Sequence, residues 1–245
     1  MKRLNKVAPI TLLFWLMKVI ATTLGETLGD FIAMTLNYGY VIGLGITSII
    51  IIIALLIQLN AKEYNPVKYW FVIIGTTTLG TEISDFIDRT LQVGYLLGSI
   101  LLAISLAGVL LIWYRWYKSL EVYPIIEKQK ELLFWTTVLI SNSLGTAFGD
   151  FLTDNLGLNY LLGALVTGIV IMLVMLLHYL TRLNHILVFW IAFVFTRPFG
   201  ATFGDFLTKP LAKGGMELGT LNASLICIFL MFLMIFITRK TMKRE

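Results

Sequence analysis

Apolar residues run along the chain in eight stretches of about twenty, broken by short polar turns. A helix needs about 20 mostly apolar residues to cross a hydrocarbon core of about 30 Å. The pattern therefore predicts eight spanning helices, over residues 10–29, 39–59, 67–84, 92–117, 131–149, 159–180, 186–204 and 217–238. Polar residues inside the odd-numbered stretches keep steps of three and four. They are Thr23, Glu26 and Asp30 in the first, then Thr78, Thr81, Glu82 and Asp85 in the second. The third has Ser143, Thr146 and Asp150, and the fourth Thr202 and Asp205, with Pro198 in place of the first hydroxyl. Such spacing puts the groups on one helix face. Polar groups avoid lipid, so the four stripes are expected to face each other inside a bundle.

The stripes belong to a fourfold repeat. Asp30, Asp85, Asp150 and Asp205 each follow a small residue, precede a Phe and lie 15 residues after a Trp. Their spacings of 55, 65 and 55 residues divide the chain into two pairs, 1–120 and 121–245. The quarters are 1–60, 61–120, 121–180 and 181–245, with the extra residues of the middle gap in Glu121–Lys130. The expected fold is an all-α integral membrane protein of four tandem helical hairpins. Gly25, Gly80, Gly145 and Gly200 precede each Asp by five residues, which suits either close helix packing or a helix break at the motif. Gly43, Gly98 and Gly163 follow it by 13; the fourth repeat has Leu218 there and Gly219 one further on.

Composition agrees with a membrane class. Only 13% of residues are charged, against about 25% in soluble domains. The net charge of +5 is explained by topology. Of the 19 basic residues, 14 fall in the N-terminus, the segments 60–68, 115–130 and 181–185, and the tail from Arg239. Eight helices put these on one side, which the positive-inside rule makes cytoplasmic, with both termini. The six Trp residues map near that side and read as an interfacial belt. Lys18 interrupts the first apolar stretch, so it reads as a retained helix rather than a cleaved signal. Lys18 is expected to snorkel to the interface. Arg197 lies deeper, suited to neutralising a carboxylate or contacting an anion. Most of Asp88, Arg89, Asp154, Lys209 and Lys213 are expected on a solvated rim. A single cysteine, Cys227, leaves no internal disulfide, and His178 and His185 do not recur with the repeat as a histidine metal site would.

Carboxylates and hydroxyls are hard oxygen donors, suited to Mg²⁺, Ca²⁺, Mn²⁺, Na⁺ or protons. Clustered carboxylates repel, so some hold protons unless a cation compensates. The candidate ion site is therefore Asp30, Asp85, Asp150 and Asp205, also the candidate metal ligands, with Glu26 and Glu82 adding charge. Thr23, Thr78, Thr81, Ser143, Thr146 and Thr202 would add neutral oxygens, and Arg197 would trim the negative charge. The expectation is a transporter of a small hard cation coupled to protons, with no resident cofactor, no enzymatic activity and no nucleic-acid partner beside the lipid bilayer. The alternatives are a channel with an Asp filter and a non-transporting scaffold. Gly-Asp also suits a C-cap glycine followed by an N-cap Asp.

The segment Thr22-Thr23-Leu24-Gly25-Glu26-Thr27-Leu28-Gly29-Asp30-Phe31, with its three copies, resembles the unit of a bacterial family of membrane-anchored proteins built on a repeat of unknown function. The resemblance spans nearly the whole chain. It implies a multi-spanning protein of the bacterial inner membrane and names no substrate. A thematic likeness to cation/proton exchangers carries no residue roles, because Phe31 stands where their motif has a basic residue.

Overall fold

The computed structural model describes residues 5–180 and 184–242, without the side chains of His178, Tyr179 and Met242. Lys2, Arg3, Arg182, Lys243, Arg244 and the His178 side chain, which figure in the sequence reading, lie outside it. Among the described residues there are eight α-helices and no strand: α1 (Leu12–Asp30), α2 (Gly39–Leu59), α3 (Pro66–Asp85), α4 (Tyr95–Tyr117), α5 (Lys128–Asp150), α6 (Tyr160–Leu180), α7 (His185–Thr208) and α8 (Thr220–Met242). Short polar residues start three of the inner helices. The side chains of Thr11, Asn65 and Asn184 accept the first free amides of α1, α3 and α7, and Pro66 fills the first position of α3.

Seven helices are long and apolar enough to cross a membrane. The exception is α3, in which three consecutive threonines, Glu82 and Asp85 dilute the apolar content. It packs against α1, α2 and α5, so little of it has to satisfy lipid.

The helices form two concentric layers. In the inner ring α1 packs on α3, α3 on α5, α5 on α7 and α7 back on α1. Glycines allow this closeness. A Cβ built on Gly25, Gly80, Gly145 or Gly200 would collide with Thr77, Asn142, Arg197 or Thr22 respectively. Each of those residues stands three before the equivalent glycine of the next quarter, so the inner helices are parallel and in register. Each runs unbroken through its glycine to the Asp, so of the two readings close packing holds and the helix break does not.

The outer layer shows how the hairpins interlock. Each outer helix packs chiefly on the inner helix of the following quarter: α2 on α3, α4 on α5, α6 on α7, and α8 on α1. Thr27 of α1 receives a 2.8 Å bond from Ser224 of α8, as Glu82 of α3 receives one from Thr47 of α2. The fourth quarter departs in sequence because its loop is longer. In the first three quarters a five-residue π-helical turn follows the Asp, closed by bonds from Leu36, Leu91 and Leu156 to Phe31, Phe86 and Phe151. In the fourth, α7 continues to Thr208 and a loop leads to left-handed Glu217 and Gly219. That pair matches Asn37 and Gly39, or Gln92 and Gly94, five residues late. Allowing for the insertion, buried Ala223 stands where Gly43, Gly98 and Gly163 stand.

The aromatic belt also needs correction. Trp116 is 66% exposed, but Trp70, Trp113, Trp135 and Trp190 are buried. Each motif Trp follows another aromatic, and the pairs interlock between quarters: Phe14 with Trp70, Tyr69 with Trp135, and Phe189 with Trp15, at centroid distances of 5.4–5.7 Å. This cluster fills the basic end of the ring. The segment from Asn5 to Ala8 covers it, bonding to the backbones of Ile125 and Tyr64, while Lys6 pairs with buried Glu131 at 2.9 Å.

Candidate functional site

All four motif Asp residues are buried at the end of the ring away from the Trp cluster. None caps a helix. Asp30, Asp85 and Asp150 have helical φ near −60° and no side-chain cap bond, so the capping reading fails. Instead they are held in pairs by cations. Lys209 Nζ lies 2.5 Å from Asp30 and 3.2 Å from Asp205, tying α1 to α7. Arg89 lies 3.0 Å from Asp85 and 3.2 Å from Asp150, tying α3 to α5. Both cations stand four residues after the Asp of an even-numbered quarter; the odd quarters have Met34 and Asp154 there. The expected solvated rim is therefore corrected for Arg89, Lys209 and buried Asp88, whereas Asp154 and Lys213 are exposed. Burial works against the Lys209 charge, but Asp205 and then Asp30 outweigh it and hold its pKa above the ordinary lysine value.

The two pairs are one network. Asp85 lies within electrostatic reach of Asp30, Asp150 of Asp85, and Asp205 of both Asp30 and Asp150. Glu26 is common to them, acting on Asp85, Asp150 and Asp205. Its carboxylate accepts from Arg197 at 2.7 Å. Arg197 is fully buried and also donates to the Thr22 carbonyl and the Thr81 hydroxyl, so one guanidinium joins α7, α1 and α3. The potential ligand oxygens of Glu26, Asp30 and Asp205 lie within 4.8 Å of one another, a spacing that fits a hard cation.

Glu26 and Glu82 part company here. Glu26 is four residues before its Asp and faces the neighbouring inner helix, where the other quarters have Thr81, Thr146 and Ala201. Glu82 is three before, about 100° around the helix, and turns to Thr47 of α2 at 3.1 Å. Of the six hydroxyls expected at the site, Thr81 reaches the network. Thr23, Thr78, Ser143, Thr146 and Thr202 donate to carbonyls of their own helices four residues back. Lys18 does not snorkel. It is fully buried, 3.2 Å from Asn142 Oδ1 and 4.2 Å from the centre of the Phe193 ring.

The fourfold pattern has a counterpart among known families. A family model described as "Repeat of Unknown Function (DUF347)" matches residues 13–64, 68–119, 133–184 and 188–243. The chain belongs to this repeat family. Each matched DUF347 segment covers one inner helix and the outer helix that follows it. No curated protein and no solved structure gave a match. The sequence reading singled out Arg197 but missed that it shares a DUF347 position, eight residues before each Asp, with Thr22, Thr77 and Asn142. Its signal was present: each of these residues stands three before the repeat glycine of its own helix. Lys209 and Arg89 were also legible, by their shared four-residue offset from an Asp.

Proposed function

We propose that this protein is a membrane transporter of a small hard cation, exchanged for protons at the buried network. One observation carries the reading: five buried carboxyls, Glu26, Asp30, Asp85, Asp150 and Asp205, share three ion-paired cations, Arg89, Arg197 and Lys209. Lys18 lies 12 residues below Asp30, about 18 Å along the helix, and its hydrogen-bond partner is Asn142. Charge buried without compensation is expensive, so the two excess carboxyls call for two protons or one divalent ion. Swapping one for the other leaves the buried charge unchanged. The orientation with both termini cytoplasmic, and a bacterial inner-membrane location, belong to the same proposal.

The test is reconstitution in vesicles with Mn²⁺, Mg²⁺, Ca²⁺ or Na⁺ on one side and a pH dye inside. Cation-driven proton movement that disappears in Asp30→Asn and Asp205→Asn supports the exchange. Flux without proton movement points to a channel. A scaffold reading has its own support, because every one of the five carboxyls already has a cation partner. It predicts no flux in the native protein and lowered melting in the same variants.

A further inference from the structure

We propose that Glu82 is a proton-binding site inside the bundle, separate from the ion-pair network, whose carboxyl is neutral at rest and exchanges its proton at the α2–α3 contact. Glu82 is fully buried. Oε1 accepts one bond, from the Thr47 hydroxyl, and Oε2 has no hydrogen-bond partner. No ion pair to Glu82 is found among the described residues. Buried charged groups on the elements around α3 are engaged elsewhere: Glu26 of α1 with Arg197, Asp30 with Lys209, Lys18 with Asn142, and on α5 Asp150 with Arg89 and Glu131 with Lys6. On α2, Tyr40 is taken by Arg89. A carboxylate held by one neutral hydroxyl in a dry interior is strongly disfavoured, so such a group takes a proton.

Packing does not require an acid at this place. The equivalent residues of the other quarters are Thr27, Ala147 and Thr202. Room for the longer side chain comes from Gly43, where a Cβ would stand 3.0 Å from Oε1. The second quarter thus installs a carboxyl in a niche where small neutral residues serve elsewhere. The site rests on the transport reading for its role, as the group that carries the proton, but its protonation is measurable without any flux.

The experiment is labelling of the full-length protein in lipid vesicles with dicyclohexylcarbodiimide, followed by peptide mass mapping. A protonated carboxyl adds across one C=N bond; its proton goes to nitrogen and its oxygen to carbon, and the adduct rearranges to a stable acylurea. With a divalent cation present to displace the network's two protons, the expected result is an adduct at Glu82 and none at the ion-paired Asp30, Asp85, Asp150 and Asp205. Above its midpoint the label falls about tenfold per pH unit, as for a single titrating site. Glu82→Gln removes the adduct; if that variant does not fold, the map and pH profile of the native protein decide alone. An unlabelled Glu82 at every pH where the protein stays folded overturns the proposal, as does equal labelling of all five acids. A labelled protein that moves no cation keeps the proton site and loses the transport reading. Cation flux with an unlabelled Glu82 does the reverse.

Discussion

Arg197 replaces a hydroxyl or amide that the other three quarters carry at its position, and a fully buried guanidinium must be matched by what surrounds it. Removing one partner of such a pair exposes the other to the interior, at a cost of about 3–5 kcal/mol. Arg197→Met is therefore expected to lower the melting temperature sharply in detergent. Adding Glu26→Gln to it should recover part of the loss, since the orphaned carboxylate is then gone. Shared cations make a second expectation. Asp30→Asn and Asp205→Asn both act through Lys209, and Asp85→Asn and Asp150→Asn both through Arg89. Double-mutant cycles within either pair should show coupling of about 0.5–3 kcal/mol, larger than for Asp30 with Asp150, whose cations differ. Sequence revealed that the four Asp residues are equivalent and interior. It left their pairing open, because spacing along one helix says nothing about which neighbour supplies the counter-charge. Glu26 and Glu82 were grouped for the same reason: a one-residue offset looks small in a stripe and is a different face in three dimensions.

At the scale of the helix, glycine has two different roles. Gly25, Gly80, Gly145 and Gly200 admit a neighbouring backbone or branched side chain, so Ala at any of them overpacks the ring. A loss of about 1–3 kcal/mol is expected, read by thermal unfolding of Gly80→Ala, where Asn142 and Ser143 backbone atoms leave nothing flexible to move. Gly45 and Gly108 meet nothing within 4 Å. Ala there is expected to be neutral or to gain up to about 1 kcal/mol from helix propensity alone. Helix positions were legible from apolar runs, though α5 starts at Lys128 rather than 131 and α7 ends at Thr208 rather than 204. The π-helical turns were not, because their five-residue bonds depend on how the chain leaves the ring after Phe31, Phe86 and Phe151. The threonines that bond back to their own helices show why a polar stripe overstates a site. A hydroxyl on a spanning helix has its own carbonyls as the nearest acceptors.

For the molecule as a whole, the repeat was visible and its mode of assembly was not. Four apolar hairpins suggest four self-contained units, since nothing in an all-apolar helix states which neighbour it covers. The observed offset, each outer helix on the next inner one, makes α8 the cover of α1 although they lie at opposite ends of the chain. During synthesis the first helix must therefore wait, its flank bare, until the last has been made. A chain cut before residue 220 should accordingly injure its beginning rather than its end. Protease cleavage or solvent labelling that rises first along α1, around Thr27, is the expected sign of that distant debt.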